Sequence, residues 1–286
     1  MYKAINYWVL GGFNGEKGAY AAIADAAKWG MDGLEITVGD CVPADISQAE
    51  CAKIKATAQQ AGIGLRTLAT GFYWGCSLGS LDEAERQAAI DFTKKYIQIA
   101  VWLGARTILV VPGAVDVAWD PSRPVVPYQK VWDLSVKSLK EVLVVAEKAG
   151  VELALENVWN KFLLSPVEMK MYVDQFNSQN IGVYLDTGNC LLSGYAEHWI
   201  EILGKRIKAV HLKNFKREGG GGTLAGFGDD LLTGDLDFTA VKAALEKIIP
   251  EVAVTAEMIP FSRLPDLILP DAVLAEATAK KLLAAI

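Results

Sequence analysis

Short apolar runs alternate with longer segments of mixed polarity from one end of the chain to the other. The apolar runs are Ala4–Val9, Gly33–Thr37, Gly64–Ala69, Thr107–Val111, Val151–Glu156, Gly182–Asp186, Ile207–Leu212 and Ala253–Glu257. Their brevity and near-continuous apolarity suit strands buried on both faces, as in a parallel sheet. Between them, Ile46–Ala61, Leu81–Leu103 and Val131–Ala149 carry apolar residues at helical spacing and stop before Gly62, Gly104 and Gly150. The second opens on Asp82-Glu83, and Ser165-Pro166 offers a cap followed by a proline at the first helical position. Acidic starts and glycine stops fit the helix dipole and the left-handed C-terminal cap. Eight strands in strict alternation with helices predict a single-domain α/β protein, a (β/α)8 TIM barrel over residues 1–286. The runner-up is an open doubly wound sheet. That fold expects a glycine-rich phosphate turn after its first strand, and Gly11-Gly12-Phe13-Asn14-Gly15 does not fit G-x-G-x-x-G.

Composition narrows the functional classes. Among the 286 residues 52% are hydrophobic and 22% charged, enough for a large core and too little charge for disorder. The formal net charge of −6 argues against a broad nucleic-acid surface. Cys41, Cys51, Cys76 and Cys190 form no C-x-x-C pair and read as free thiols of a reducing compartment. The N-terminus lacks the layout of a signal peptide. The most apolar stretch, Ile97 to Val117, is broken by Gln98, Arg106, Thr107, Pro112 and Asp116, so no membrane association is expected. A soluble cytoplasmic protein is expected, and symmetric homodimers or homotetramers are the default for such assemblies.

Barrel enzymes carry their chemistry at the C-terminal ends of the strands. Here strands 5 to 8 close on Glu156, Asp186, His211 and Glu257, which a barrel would place along one arc. Taken singly, Asp186 reads equally well as a helix cap, and a lone histidine is more often structural than a ligand. Three clustered carboxylates, however, need a cation or protons to coexist. This oxygen-rich set favours a hard divalent metal, Mn²⁺ or else Co²⁺ or Mg²⁺, over structural zinc. Glu35 ends strand 2 and reads either as a substrate contact or as a helix-start charge. Tyr7, Trp8, Phe72, Trp74 and Trp119 lie near the mouth, as a sugar wall or as core. Gly219–Gly222 reads as a flexible loop or a lid segment.

The chain resembles the xylose isomerase-like TIM-barrel superfamily, especially its sugar (ketose) 3-epimerase branch, which includes D-tagatose 3-epimerase and the L-ribulose- and L-xylulose-5-phosphate 3-epimerases. The resemblance rests on Trp29-Gly30-Met31-Asp32-Gly33-Leu34-Glu35-Ile36, Leu155-Glu156-Asn157, Tyr184-Leu185-Asp186-Thr187-Gly188-Asn189, Val210-His211-Leu212-Lys213 and Gly234-Asp235-Leu236-Asp237-Phe238. It implies an isomerase acting on a small-molecule sugar, with Glu156, Asp186, His211 and Glu257 holding the metal against the C2 carbonyl and C3 hydroxyl of a ketose. Glu156 and Glu257 would then serve as opposed acid and base that invert C3 through a cis-enediolate. Arg217 matches a family arginine near the reacting oxygens; a solvated loop residue is the equal alternative. The substrate contacts expected are Arg217, Asn189, Lys213, Trp8 and Glu35. Two positions depart from the family. Asn189 stands where free-ketose enzymes often have histidine, and Asn160-Lys161-Phe162-Leu163 offers no second glutamate after strand 5. A cluster of Lys213, Lys216 and Arg217 leaves a phosphorylated ketose open. Hydroxypyruvate isomerase-like and inosose dehydratase-like chemistry also remain open. With only two histidines, the multi-metal site of endonuclease IV is not expected. A non-catalytic sugar-binding barrel would have no need of two opposed glutamates.

Overall fold

The computed structural model describes residues 1–118, 120–220, 224–259 and 272–286. Within them, parallel strands close into a barrel in chain order. They are β1 (Tyr2–Asn6), β2 (Gly33–Thr37), β3 (Thr67–Ala69), β4 (Thr107–Val110), β5 (Glu152–Glu156), β6 (Ile181–Asp186), β7 (Ile207–Leu212) and β8 (Ala253–Ala256). The first strand pairs with the last, Tyr2 opposite Ala253 and Ile5 opposite Ala256, so no strand edge is left open. The main helices α2 (Ala19–Lys28), α3 (Gln48–Gln60), α4 (Glu83–Leu103), α5 (Tyr128–Ala149), α6 (Pro166–Asp174), α7 (Ala196–Leu203), α9 (Phe238–Ile248) and α10 (Ala272–Ala285) form the outer layer, with short α1 (Tyr7–Gly11) and α8 (Arg217–Gly220) after β1 and β7. The expected barrel is therefore the fold observed.

Local chemistry sets the boundaries. Ser47, Asp82 and Ser165 each accept a backbone N–H in the first turn of the helix that follows. Gly104 and Gly150 end α4 and α5 at φ 81° and 68°, a left-handed conformation that glycine adopts without steric cost. The first strand differs from the expected Ala4–Val9. It stops at Asn6, whose side-chain carbonyl accepts the Trp8 N–H at 2.7 Å and starts α1. All of α1 is buried. The apolarity of Tyr7–Val9 thus reflects burial rather than extension. β3 is likewise shorter than Gly64–Ala69; Gly64 makes only an isolated bridge to Gly33.

Parallel register brings the polar strand ends level. Asp186 lies opposite His211, Glu156 opposite Tyr184, and His211 opposite Thr255, two residues before Glu257. Among the described residues no helix is long and apolar enough to cross a membrane. Trp119 and Gly221–Gly222, singled out in the sequence, lie outside the described residues.

Candidate metal centre

Glu156, Asp186, His211 and Glu257 converge at the C-terminal rim, each buried, with one ligand atom apiece all within 4.8 Å of one another. His211 Nδ1 is 3.1 Å from Glu156 Oε1 and 3.7 Å from Glu257 Oε2. Lys213 Nζ donates to Glu257 Oε2 at 2.7 Å and lies 3.5 Å from Asp186 Oδ2. The alternative readings of Asp186 turn out to be compatible. Its Oδ1 accepts the Asn189 N–H at 2.8 Å, as a cap would, while Oδ2 remains in the cluster.

Two of the four are held from behind, His211 and Asp186. Nε2 of His211 lies 2.6 Å from Glu35 Oε1, and Glu35 in turn accepts hydrogen bonds from Asn6 Nδ2 at 2.7 Å and from the Tyr184 hydroxyl. A carboxylate on one ring nitrogen orients the other nitrogen toward a metal and raises its basicity. Asn157 brackets the Asp186 backbone, accepting its N–H at 2.8 Å and donating to its carbonyl at 2.9 Å. Thr187 ties β6 to the segment after β7, donating to the Lys213 carbonyl at 2.7 Å.

The electrostatics of this cluster follow from burying like charges together. Burial pushes the Glu156 carboxyl up to about 7, partly offset by His211. Burial likewise raises Asp186, against the pull of Lys213. Burial alone would lower His211, but Glu257 and Glu35 hold it well above the usual imidazole value. Burial opposes the Glu35 charge too, yet His211 keeps that carboxyl below its ordinary value.

These residues fit a divalent cation. Three carboxylates and one imidazole form a hard donor set. Asp186 Oδ2 is buried and accepts no hydrogen bond; the Lys213 ammonium 3.5 Å away offsets its charge without hydrogen-bonding to it, which leaves its lone pairs open to a cation.

A cavity of about 400 Å³ opens onto the cluster, within the usual range for small-molecule sites. Glu156, Glu257, Lys213, Asn189, Trp8 and Trp74 are among its walls. Trp8 is fixed by its indole N–H, which donates to Asp40 Oδ2 at 2.7 Å. Phe72 instead stacks on Phe92 at 3.8 Å, and Tyr7 is fully buried.

Two expected contacts lie elsewhere. Glu35 is neither a helix-start charge nor a cavity wall; it is fully buried behind His211. Arg217 does not face the cluster. Its guanidinium donates to the Leu191 and Gly194 carbonyls at 2.6 and 2.8 Å and stacks over Tyr195. Carbonyls at the end of the loop after β6 thus capture it, where the resemblance placed it at the reacting centre. The roles of Asn6, Asn157 and Tyr184 were missed. Strand parity carried a signal for Tyr184, since it precedes Asp186 by two and so points to the same side.

A family model described as xylose isomerase-like TIM barrel matches residues 23–280. The uncharacterized protein MJ1614 of Methanocaldococcus jannaschii is 24% identical over 60% of this chain, a match that spans 62% of that protein's length. Among solved structures, D-psicose 3-epimerase with D-tagatose from Clostridium cellulolyticum H10 superposes with a TM-score of 0.79 at 22% identity, covering 99% of this chain and 97% of that one. An L-ribulose 3-epimerase gives 0.78 at 20% identity, covering 99% and 93%. Likeness at such identity establishes a shared fold.

Proposed function

Because the chain belongs to the xylose isomerase-like TIM barrel family, we propose that it is a metal-dependent isomerase, a sugar epimerase that inverts C3 of a ketose. The observation that carries this reading is the buried Glu156–Asp186–His211–Glu257 cluster at the end of a cavity of sugar size. The ketose 3-epimerases among its structural neighbours support it. All four residues would hold the cation, best Mn²⁺, with Co²⁺ or Mg²⁺ as substitutes. A bound cation supplies Lewis-acid polarisation of the carbonyl and stabilises the charge that develops beside it.

The chain's own groups do the proton work. Glu156 and Glu257 come from β5 and from the end of β8, with His211 of β7 between them, and both line the cavity. One carboxylate would take the C3 proton, and the other would return a proton to the opposite face of the resulting cis-enediolate. The Lys213 ammonium, held against Glu257, is in place to donate to a sugar oxygen. Trp8 and Asn189 would shape the walls.

The sugar is unphosphorylated in this reading. Lys213 is engaged by Glu257 and Asp186, Lys216 is exposed and 4.0 Å from Glu218, and Arg217 is engaged by backbone carbonyls. Of the three basic residues only Lys213 lines the cavity. The test is incubation with D-fructose, D-tagatose and L-ribulose in D₂O with Mn²⁺, followed by NMR. Deuterium at C3 of an epimerised product is expected. Label confined to C1 would make the protein an aldose–ketose isomerase, and loss of a hydroxyl would make it a dehydratase.

A further inference from the structure

We infer that the site binds a ketose carrying a second, uncharged glycosyl unit, which sits in a separate compartment beside the cluster. A second cavity of about 520 Å³ adjoins the first on the same face of the barrel. Val158, Trp159 and Asn189 form walls of both, so the two cavities meet at these three residues. The outer compartment is framed by the segments after β4, β5 and β6, on the Glu156 and Asp186 side of the cluster.

Its chemistry identifies the occupant. The cations on its walls are already neutralised: Lys161 pairs with Asp116, and Arg123 with Glu85. Asp120 accepts hydrogen bonds from Ser122. No uncompensated positive charge is left among these groups to select a phosphate or a carboxylate. Around the compartment, Val125, Leu164 and Leu192 are 71%, 57% and 43% exposed and leave apolar side chains open to an occupant. Below them lie Trp159 and Trp199. Apolar and aromatic walls mixed with a few neutral polar groups match a pyranose, whose C–H faces and hydroxyls need both. Asn189 stands at the junction. Its Nδ2 donates to the Asn157 carbonyl at 2.9 Å, and its Oδ1 accepts no hydrogen bond among the described residues. A hydroxyl near the glycosidic link would complete it. A monosaccharide in the inner cavity would leave this compartment to water.

The inference rests on the ketose reading above and is tested separately from it. Intrinsic tryptophan fluorescence of the Mn²⁺-loaded protein is titrated with D-fructose, D-fructose 6-phosphate, and fructose glucosylated at O1, O4, O5 or O6. At least one disaccharide should bind ten times more tightly than D-fructose. Ser193→Trp and, independently, Leu192→Trp fill the outer compartment from its rim and should bring that ratio close to one. Equal affinity for D-fructose and every disaccharide overturns the inference, as does tighter binding of the 6-phosphate. So does a disaccharide preference that survives both substitutions, or a change of oligomeric state on Ser193→Trp, which would make the apolar rim a contact between copies. Deuterium exchange at C3 is followed on the same sugars. Exchange on D-fructose with no disaccharide preference removes this inference alone. A disaccharide preference without exchange on any sugar upholds the compartment and removes the epimerase reading.

Discussion

Nε2 of His211 and Oε1 of Glu35 meet at 2.6 Å in the barrel interior, joining strands that are 176 residues apart in sequence. This contact leaves Nδ1 directed at Glu156 and Glu257. Glu35→Gln should therefore weaken Mn²⁺ binding by roughly 10–100-fold, the usual cost of losing such a partner. Calorimetric titration measures it. An unchanged affinity in a correctly folded variant would show that the ring needs no carboxylate to hold it.

Cation binding should stabilise the fold. Three buried carboxylates with oxygens within 4.8 Å of one another are relieved by a divalent ion, and free energy of binding adds to that of folding. At a Mn²⁺ concentration ~100 times Kd the gain is about 2.7 kcal/mol. For a chain of 286 residues that corresponds to a rise in Tm of roughly 4–5 °C. Chelator should reverse it, and Asp186→Asn should abolish most of it. A Tm indifferent to both metal and chelator would remove the metal centre.

Glu156→Gln and Glu257→Gln each remove a proton carrier while preserving shape. Each should lower kcat by about 10²–10⁴-fold. Rates of C3–H exchange in D₂O separate the two roles. One variant that still exchanges the proton without completing inversion would assign Glu156 and Glu257 to opposite faces. Near-normal turnover in either would require a different base.

Asn157→Ala should destabilise the protein by about 1–3 kcal/mol for each Asp186 backbone group left unpaired in the buried rim. Urea denaturation monitored by circular dichroism gives the value. A variant as stable as the parent would mean that water replaces the side chain at both positions.

The strand ends were legible in the sequence because a buried parallel strand is apolar until it reaches the mouth. Glu156, Asp186, His211 and Glu257 each break such a run, and the alternation of strands and helices placed them side by side. The helix starts at Asp82 and Ser165 and the stops at Gly104 and Gly150 were legible for the same local reason, since backbone geometry there depends on one residue, whereas Ser47 fell inside the expected Ile46–Ala61 and was not read as a cap. The end of β1 was not. Tyr7 and Trp8 are apolar whether extended or helical, and only the Asn6 side chain decides between them.

What the sequence determined by itself, then, is the order of elements and the four polar strand ends, because both follow from short-range periodicity. What only the tertiary structure decided is which side chains meet. Glu35 and Arg217 are both charged residues, one in the middle of β2 and the other at the start of α8. One is drawn into the interior by His211, Tyr184 and Asn6, and the other outward to the carbonyls of Leu191 and Gly194. A charge settles where partners offset its loss of water. Those partners come from other strands and loops, so no local pattern around Glu35 or Arg217 contains them.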